Sequence, residues 1–249
     1  MSVIRAEGLE KSFGDVAALR GMDFAVEAGE CYGFLGPNGA GKTTTIAILT
    51  GQLRPDAGTA TVHGTDPISD PIATRRAVGI LPEKQTPPSF LTPREYMDFI
   101  ASVRGLDSET VSESLETWAD RLGFRNKLDT LHTDLSRGQQ QKVMITQAFV
   151  HEPAVVFIDE PLVNLDPLVQ EQVKRHLESY VDQGNTIFVS THNIDVAEEI
   201  CSRVGIVVDG SVVVERSTAA QDRGALLEVF LERVEEADAR DIPTLGTAE

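Results

Sequence analysis

From Tyr32 to Leu53 the chain reads YGFLGPNGAGKTTTIAILTGQL: a short apolar run, a glycine-rich loop and then a helical pattern. Tyr32 to Leu35 fits a buried strand, and about Thr43 to Leu53 fits a helix that follows at once. Between them, Gly36-Pro37-Asn38-Gly39-Ala40-Gly41-Lys42-Thr43 satisfies G-x-x-x-x-G-K-[ST]. The glycines let the backbone curl so that N–H groups converge on phosphate oxygens, and the helix start adds partial positive charge. Lys42 is placed to reach the β and γ phosphates. Thr43 offers its hydroxyl to Mg2+, and Thr44 follows it on the same helix start. The stretch predicts a nucleotide bound at a strand, loop and helix unit.

Downstream, elements alternate: helix 139–151, strand 154–158, helix 168–182, strand 186–190 and a helix from about Asn193 to Cys201. Such alternation predicts a mostly parallel sheet with crossover helices, in which ligands gather at the carboxyl ends of the strands. Ile206 to Val208 and Val212 to Val214 flank Asp209-Gly210, a hairpin signal. Upstream, apolar and polar residues alternate through the first thirty positions, punctuated by Gly14-Asp15 and Ala28-Gly29. Short antiparallel strands are expected there.

A helical segment interrupts the alternation. Thr92-Pro93-Arg94-Glu95 has the cap, first-turn proline and third-position acid of a capping box. Val111, Leu115, Trp118 and Leu122 form an apolar stripe on a second helix, which Gly123 can end. Residues of about 91–135 are therefore a helical insert. The end begins as an acidic amphipathic helix through Leu226, Leu227, Phe230, Leu231 and Val234, then becomes polar.

Composition sets limits. With 39 acidic against 22 basic residues the formal charge is −17, which repels nucleic-acid phosphates, so no nucleic-acid partner is expected. The Arg75-Arg76 pair is read as solvated helix charge. Cys31 and Cys201 lack metal-type spacing and are expected as two reduced, buried thiols. No apolar run approaches the ~20 residues that span a bilayer, and no N-terminal signal pattern stands out. A cytosolic protein is the expectation.

Val155-Val156-Phe157-Ile158-Asp159-Glu160 is a buried strand that delivers two adjacent carboxylates to its exposed end. Neighbouring side chains on a strand point apart, so the two can take different tasks. Asp159 is expected to hold Mg2+ through water, and Glu160 to polarise the attacking water.

These motifs resemble the ABC ATPase family, and the resemblance covers nearly the whole chain. Leu135-Ser136-Arg137-Gly138-Gln139 is similar to the family's signature Leu-Ser-Gly-Gly-Gln, with Arg137 in place of the first glycine. Asn164-Leu165-Asp166-Pro167 resembles the D-loop that crosses the dimer interface. The resemblance implies that Phe13 stacks on adenine and that His192 meets the γ phosphate and orients Glu160 and water. It also implies that Ser136, Gly138 and Gln139 contact the γ phosphate held by an opposite subunit. Glu83 falls where the family's Q-loop has glutamine, which implies contact with Mg2+ or water. A carboxylate there loses the amide donor, and Gln85 is the alternative.

The implied fold is an α/β P-loop NTPase with a mostly parallel core sheet, an N-terminal antiparallel β subdomain and an inserted helical subdomain. Residues 3–235 would form one ATP-binding domain with the helical subdomain at about 84–138, followed by an acidic tail, 236–249. The implied function is that of an ATP-binding and ATP-hydrolysing subunit of an ABC transporter of exporter type, with ATP and Mg2+. Its partners would be a multi-span membrane permease and a second, identical ATP-binding subunit, at the cytoplasmic face of the cell membrane. The alternatives are a soluble ABC protein of translation or DNA repair, and a P-loop kinase or GTPase. A single phosphate loop without a heptad array argues against the first. The signature-like helix, and the lack of an Asn/Thr-Lys-x-Asp base reader, argue against the second.

Overall fold

The computed structural model describes residues 2–84, 86–162, 165–218 and 225–241. In chain order the elements are β1 (Ser2–Phe13), β2 (Val16–Glu27), β3 (Cys31–Leu35), α1 (Lys42–Leu49), β4 (Ala57–Val62), α2 (Pro71–Ala77) and β5 (Val78–Leu81). There follow α3 (Pro93–Arg104), α4 (Ser108–Leu122), α5 (Arg137–Phe149), β6 (Val155–Asp159), α6 (Pro167–Asp182) and β7 (Thr186–Thr191). The last four are α7 (Ile194–Ile200), β8 (Arg203–Val208), β9 (Ser211–Ser217) and α8 (Ala225–Asp241). β2, β1 and β4 make a three-stranded antiparallel sheet. A six-stranded sheet runs β5-β6-β7-β3-β8-β9, parallel as far as β8 and closed by the antiparallel hairpin partner β9.

The central strands are apolar throughout because both of their faces are covered. Alternate residues point to opposite sides. Tyr32, Phe34, Phe157 and Phe188 face the antiparallel sheet and α1, where they meet Phe24, Ile46 and Leu49. Phe34 lies 5.1 Å from Phe24 and 5.1 Å from Phe188, ring centre to ring centre. On the other face Leu35, Val156, Ile158, Ile187 and Val189 meet α5, α6 and α7. Because β5, β6, β7, β3 and β8 are parallel, their carboxyl ends share one edge of the sheet.

Most helix starts carry side-chain caps, among them the one that the sequence predicts at Thr92. Thr92 accepts from Glu95 N at 3.2 Å while the Glu95 carboxylate accepts from Thr92 N at 2.8 Å, a complete capping box. Gly105 and Gly123 end α3 and α4 in the left-handed conformation.

Several boundaries differ from the sequence reading. α1 stops at Leu49 rather than Leu53, because Gly51 leaves the helix at φ 65°. β1 and β2 are twelve residues each rather than short, their alternation broken by bulges. β5 was not foreseen. Arg75 is not simply solvated, since its guanidinium donates to the Gly51 carbonyl. Cys31 and Cys201, distant in sequence, are buried free thiols with sulfurs 3.9 Å apart. Residues 242–249 of the expected acidic tail lie outside the described residues.

The helical insert is tied to the core at His176 of α6. Arg121 of α4 donates to its Nδ1 at 2.6 Å, and its ring sits edge-on to Trp118 at 4.3 Å. Burial, then the charge of Arg121, pushes this imidazole from 6.5 down to about 4. The unfolded chain therefore takes up a proton at His176 near pH 6.5 while the folded chain does not until about 4. Stability should fall as pH drops through that window. His176→Gln is expected to make the decline shallower, as measured by urea unfolding at stepped pH. Identical slopes for the two proteins would contradict this.

Candidate active site

β3 ends in a loop that leaves no room for a side chain at two of its glycines, Gly36 and Gly41. Gly36 N donates to Thr191 O at 3.2 Å, and a Cβ on Gly36 would lie 2.3 Å from the Val207 carbonyl oxygen. Gly41 has φ 100°, and a Cβ there would lie 2.6 Å from Ala18 O. Neither position accepts an L side chain without moving backbone. Gly41 precedes α1 and gives it no side-chain cap. The helix therefore presents its first N–H groups and positive dipole end to the loop, a site for an anion.

An open cleft of about 220 Å³ lies over this loop, lined by Ala18, Asn38, Gly39, Gly41, Lys42, Thr43, Thr44, Glu83, Asp159, Glu160 and His192. Lys42 is buried, and its Nζ donates to Gly36 O at 2.7 Å and Pro37 O at 3.0 Å. Burial holds its ammonium below the ordinary lysine range, while the carboxylates of Glu160, Asp159 and Glu83 act in the opposite direction. Ala40 is buried and shapes the loop from beneath.

The acidic pair comes from β6. Thr43 Oγ1 donates to Asp159 Oδ2 at 2.9 Å, and Ser190 Oγ donates to Asp159 Oδ1. Glu160 then turns out of the strand with φ 56°, its N–H donating to Ser190 O at 2.9 Å. A left-handed residue that is not glycine costs of order 1–3 kcal/mol. Hydrogen bonds to its side chain offset that cost: Thr191 Oγ1 donates to Oε2 at 3.0 Å and His192 N to Oε1 at 2.9 Å. His192 Nδ1 lies 2.5 Å from the same Oε1.

Other expected residues divide into two groups. Glu83 reaches the cleft, with Lys84 Nζ 3.9 Å from its carboxylate. Gln85 and Asn164 lie outside the described residues. Phe13 stands at the end of β1, 51% exposed, with Lys11 Nζ 5.7 Å from its ring centre. It does not line the cleft. Ser136, Gly138 and Gln139 do not line it either. Ser136 caps α5 in a box with Gln139, at 3.3 Å to Gln139 N and 2.9 Å back to Ser136 N. Both Ser136 and Arg137 are exposed at this helix start. Asp166 caps α6 by accepting from Val169 N at 3.1 Å, and Gln170 Nε2 donates to Leu162 O and Leu165 O.

The sequence reading missed Ala18, Ser190 and Thr191. The last two had a signal: two hydroxyl residues closing an apolar strand, just before His192. A larger groove, about 690 Å³ between α4 and α6, is lined by Trp118, Arg121 and His176 among others and lacks a glycine loop or acidic pair.

A phosphate loop, an acidic pair and a histidine share one cleft, and the capped, exposed start of α5 lies outside it. Residues 19–163 match the sequence model of a family described as ABC transporter. The chain belongs to the ABC transporter family. It is an ATP-binding subunit of the transporter type and an ATP hydrolase. It is 34% identical over 207 residues to the Nod factor export ATP-binding protein I of Burkholderia lata, covering 83% of this chain and 68% of that protein. It is 32% identical over 237 residues to the daunorubicin/doxorubicin resistance ATP-binding protein DrrA of Streptomyces peucetius, covering 95% and 72%. The probable multidrug ABC transporter ATP-binding protein YbhF of Escherichia coli is 35% identical over 212 residues, 85% of this chain but only 36% of that longer protein. A solved ATP binding subunit of an ABC transporter superposes with TM-score 0.85 at 28% identity, covering 94% of this chain and 100% of the other.

Lys42→Met should weaken ATP binding about tenfold to a hundredfold, the size expected for losing a charged hydrogen bond in a buried site. Titration with a fluorescent ATP analogue measures it, and unchanged affinity would exclude Lys42 from the phosphate site.

Proposed function

We propose that this ATPase energises an exporter, working as a pair of identical subunits beneath a separate membrane permease. One observation carries the reading: the cleft gathers Lys42, Thr43, Asp159, Glu160 and His192, whereas the exposed start of α5 at Ser136 opens elsewhere. Each copy thus has a catalytic half and, on another surface, a helix start suited to an anion. A second copy would bring its Ser136, Gly138 and Gln139 to the γ phosphate, and hydrolysis would remove the charge that holds the two together.

In the chemistry proposed for the cleft, the loop N–H groups and Lys42 hold the β and γ phosphates, with Asn38, Gly39 and Thr44 beside them. Glu160 polarises a water aimed at the γ phosphorus, and His192 orients both. The water oxygen bonds to phosphorus as the bond to the ADP oxygen breaks. Phe13 would stack on adenine, its half-exposed ring free on one face.

The donor set suits Mg2+. Thr43 and Asp159 bring a hydroxyl and a carboxylate within 2.9 Å of each other, with Glu83 on the same cleft. Among the described residues no cluster of three or more His, Cys, Asp or Glu could hold a metal by itself. Oxygen ligands that few leave room for phosphate oxygens and water, as Mg2+ prefers. When bound, the ion would neutralise charge developing on the phosphates.

Support for a permease comes from the insert. Phe99 and Val103 share one face of α3 and are 54% and 59% exposed, with Phe90 nearby in sequence at 76%. Apolar side chains this open suit a partner's surface. No helix among the described residues is long and apolar enough to cross a membrane. The cytoplasmic membrane face is the proposed location, reached through the permease. The relatives named for export and drug resistance support the exporter direction.

Glu160→Gln should abolish ATP turnover while an ATP-bound dimer accumulates in gel filtration; full residual turnover would remove Glu160 from its role. Glu83→Ala should leave ATP binding intact and uncouple hydrolysis from the permease in reconstituted vesicles. Normal coupling in that variant would argue against Glu83 as the phosphate-sensing residue.

A further inference from the structure

Two hydroxyls at the end of β7 meet two carboxylates at the end of β6. The strands are parallel and in register with Asp159 opposite Ser190, so Glu160 and Thr191 follow side by side. Thr191 is fully buried, and Glu160 nearly so. The Thr191 hydroxyl has a fixed direction. Its oxygen accepts from Asn193 N at 3.1 Å and its proton goes to Glu160 Oε2 at 3.0 Å. A hydroxyl has one proton to give. With a backbone N–H already on its oxygen and the side chain buried, that proton is directed to Oε2.

The other carboxylate oxygen is held from the opposite side by His192 N and Nδ1. Glu160 itself sits on a left-handed residue with φ 56° and has no helix or strand around it to steer its side chain. The orientation of the carboxylate therefore depends on these donors. Of them, the Thr191 hydroxyl is the one that belongs to neither the backbone nor a residue facing the cleft.

We propose that Thr191 is a positioning residue for ATP hydrolysis: its hydroxyl fixes Oε2 of Glu160 and thereby aims the carboxylate at the attacking water. Thr191 does not line the cleft and acts through Glu160. The inference rests on Glu160 being the group that polarises water. Small errors in aim are expensive in rate, since a misplacement of about 1 Å can cost a hundredfold.

Thr191→Val keeps the side-chain shape and removes the hydroxyl. In the full-length chain kcat should fall about tenfold to a hundredfold, the worth of a hydrogen bond to a charged group, with KM for ATP within about twofold. Thr191→Ser should recover most of the loss. Because hydrolysis slows and binding does not, Thr191→Val should also accumulate ATP-bound dimer, and Glu160→Gln/Thr191→Val should trap that dimer as fully as Glu160→Gln alone. If thermal melting shows Thr191→Val to be poorly folded, Thr191→Ala takes its place with the same readouts. Wild-type kcat in the valine or alanine variant overturns the proposal. So does a rise in KM that accounts for the lost activity, or failure of the double variant to trap the dimer, since either marks a purely structural role. Full turnover by Glu160→Gln would sink the reading of Glu160 first, whereas an inactive Glu160→Gln beside a fully active Thr191→Val sinks only Thr191.

Discussion

The carboxyl end of β7 is bonded on both sides beyond the regular ladder, and the site depends on that pair of bonds. Ser190 O accepts from Glu160 N at 2.9 Å, and Thr191 O accepts from Gly36 N at 3.2 Å. One extends the pairing to β6 and brings in the acidic pair; the other extends it to β3 and brings in the phosphate loop. His192 comes next in the chain. Three segments far apart in sequence are thus set by two backbone hydrogen bonds on one strand. Burial on both sheet faces keeps that strand in place, with no position from Thr186 to Thr191 open to solvent.

This arrangement explains why the residues near the loop tolerate little change in size. Gly36 lies against the Val207 carbonyl and Gly41 against that of Ala18, so β8 and β2 press on the loop from two directions. The loop keeps its curl through contact with the sheets around it. The same pressure holds Lys42 with its ammonium buried among its own loop carbonyls.

Much of this was legible in the sequence because the signals are local. The continuous apolar runs of β3, β6 and β7 marked strands, and the Thr92 capping box marked the start of α3. What local pattern could not carry was pairing. Bulges broke the alternation of β1 and β2, so two long strands looked like several short ones. β5 has four residues, too few for a period to declare itself. The nearness of Cys31 to Cys201, and of Thr191 to Glu160, arises only when β3, β6 and β7 lie beside one another. Ser136 and Glu160 belong to neighbouring motifs in the chain, yet Glu160 lines the cleft while Ser136 is exposed at the start of α5 outside it.

The left-handed backbone of Glu160 has a consequence for any attempt to harden this protein against heat. Glycine or asparagine would suit that conformation better, so selection for thermal survival alone would favour them wherever the relief of strain exceeds the loss of the hydrogen bonds to the carboxylate. It would do so by discarding the carboxylate that Thr191 and His192 hold at the cleft. If Glu160 has the role proposed for it, sturdiness and turnover compete at a single position, and a library screened for the first would lose the second without any sign in its folding.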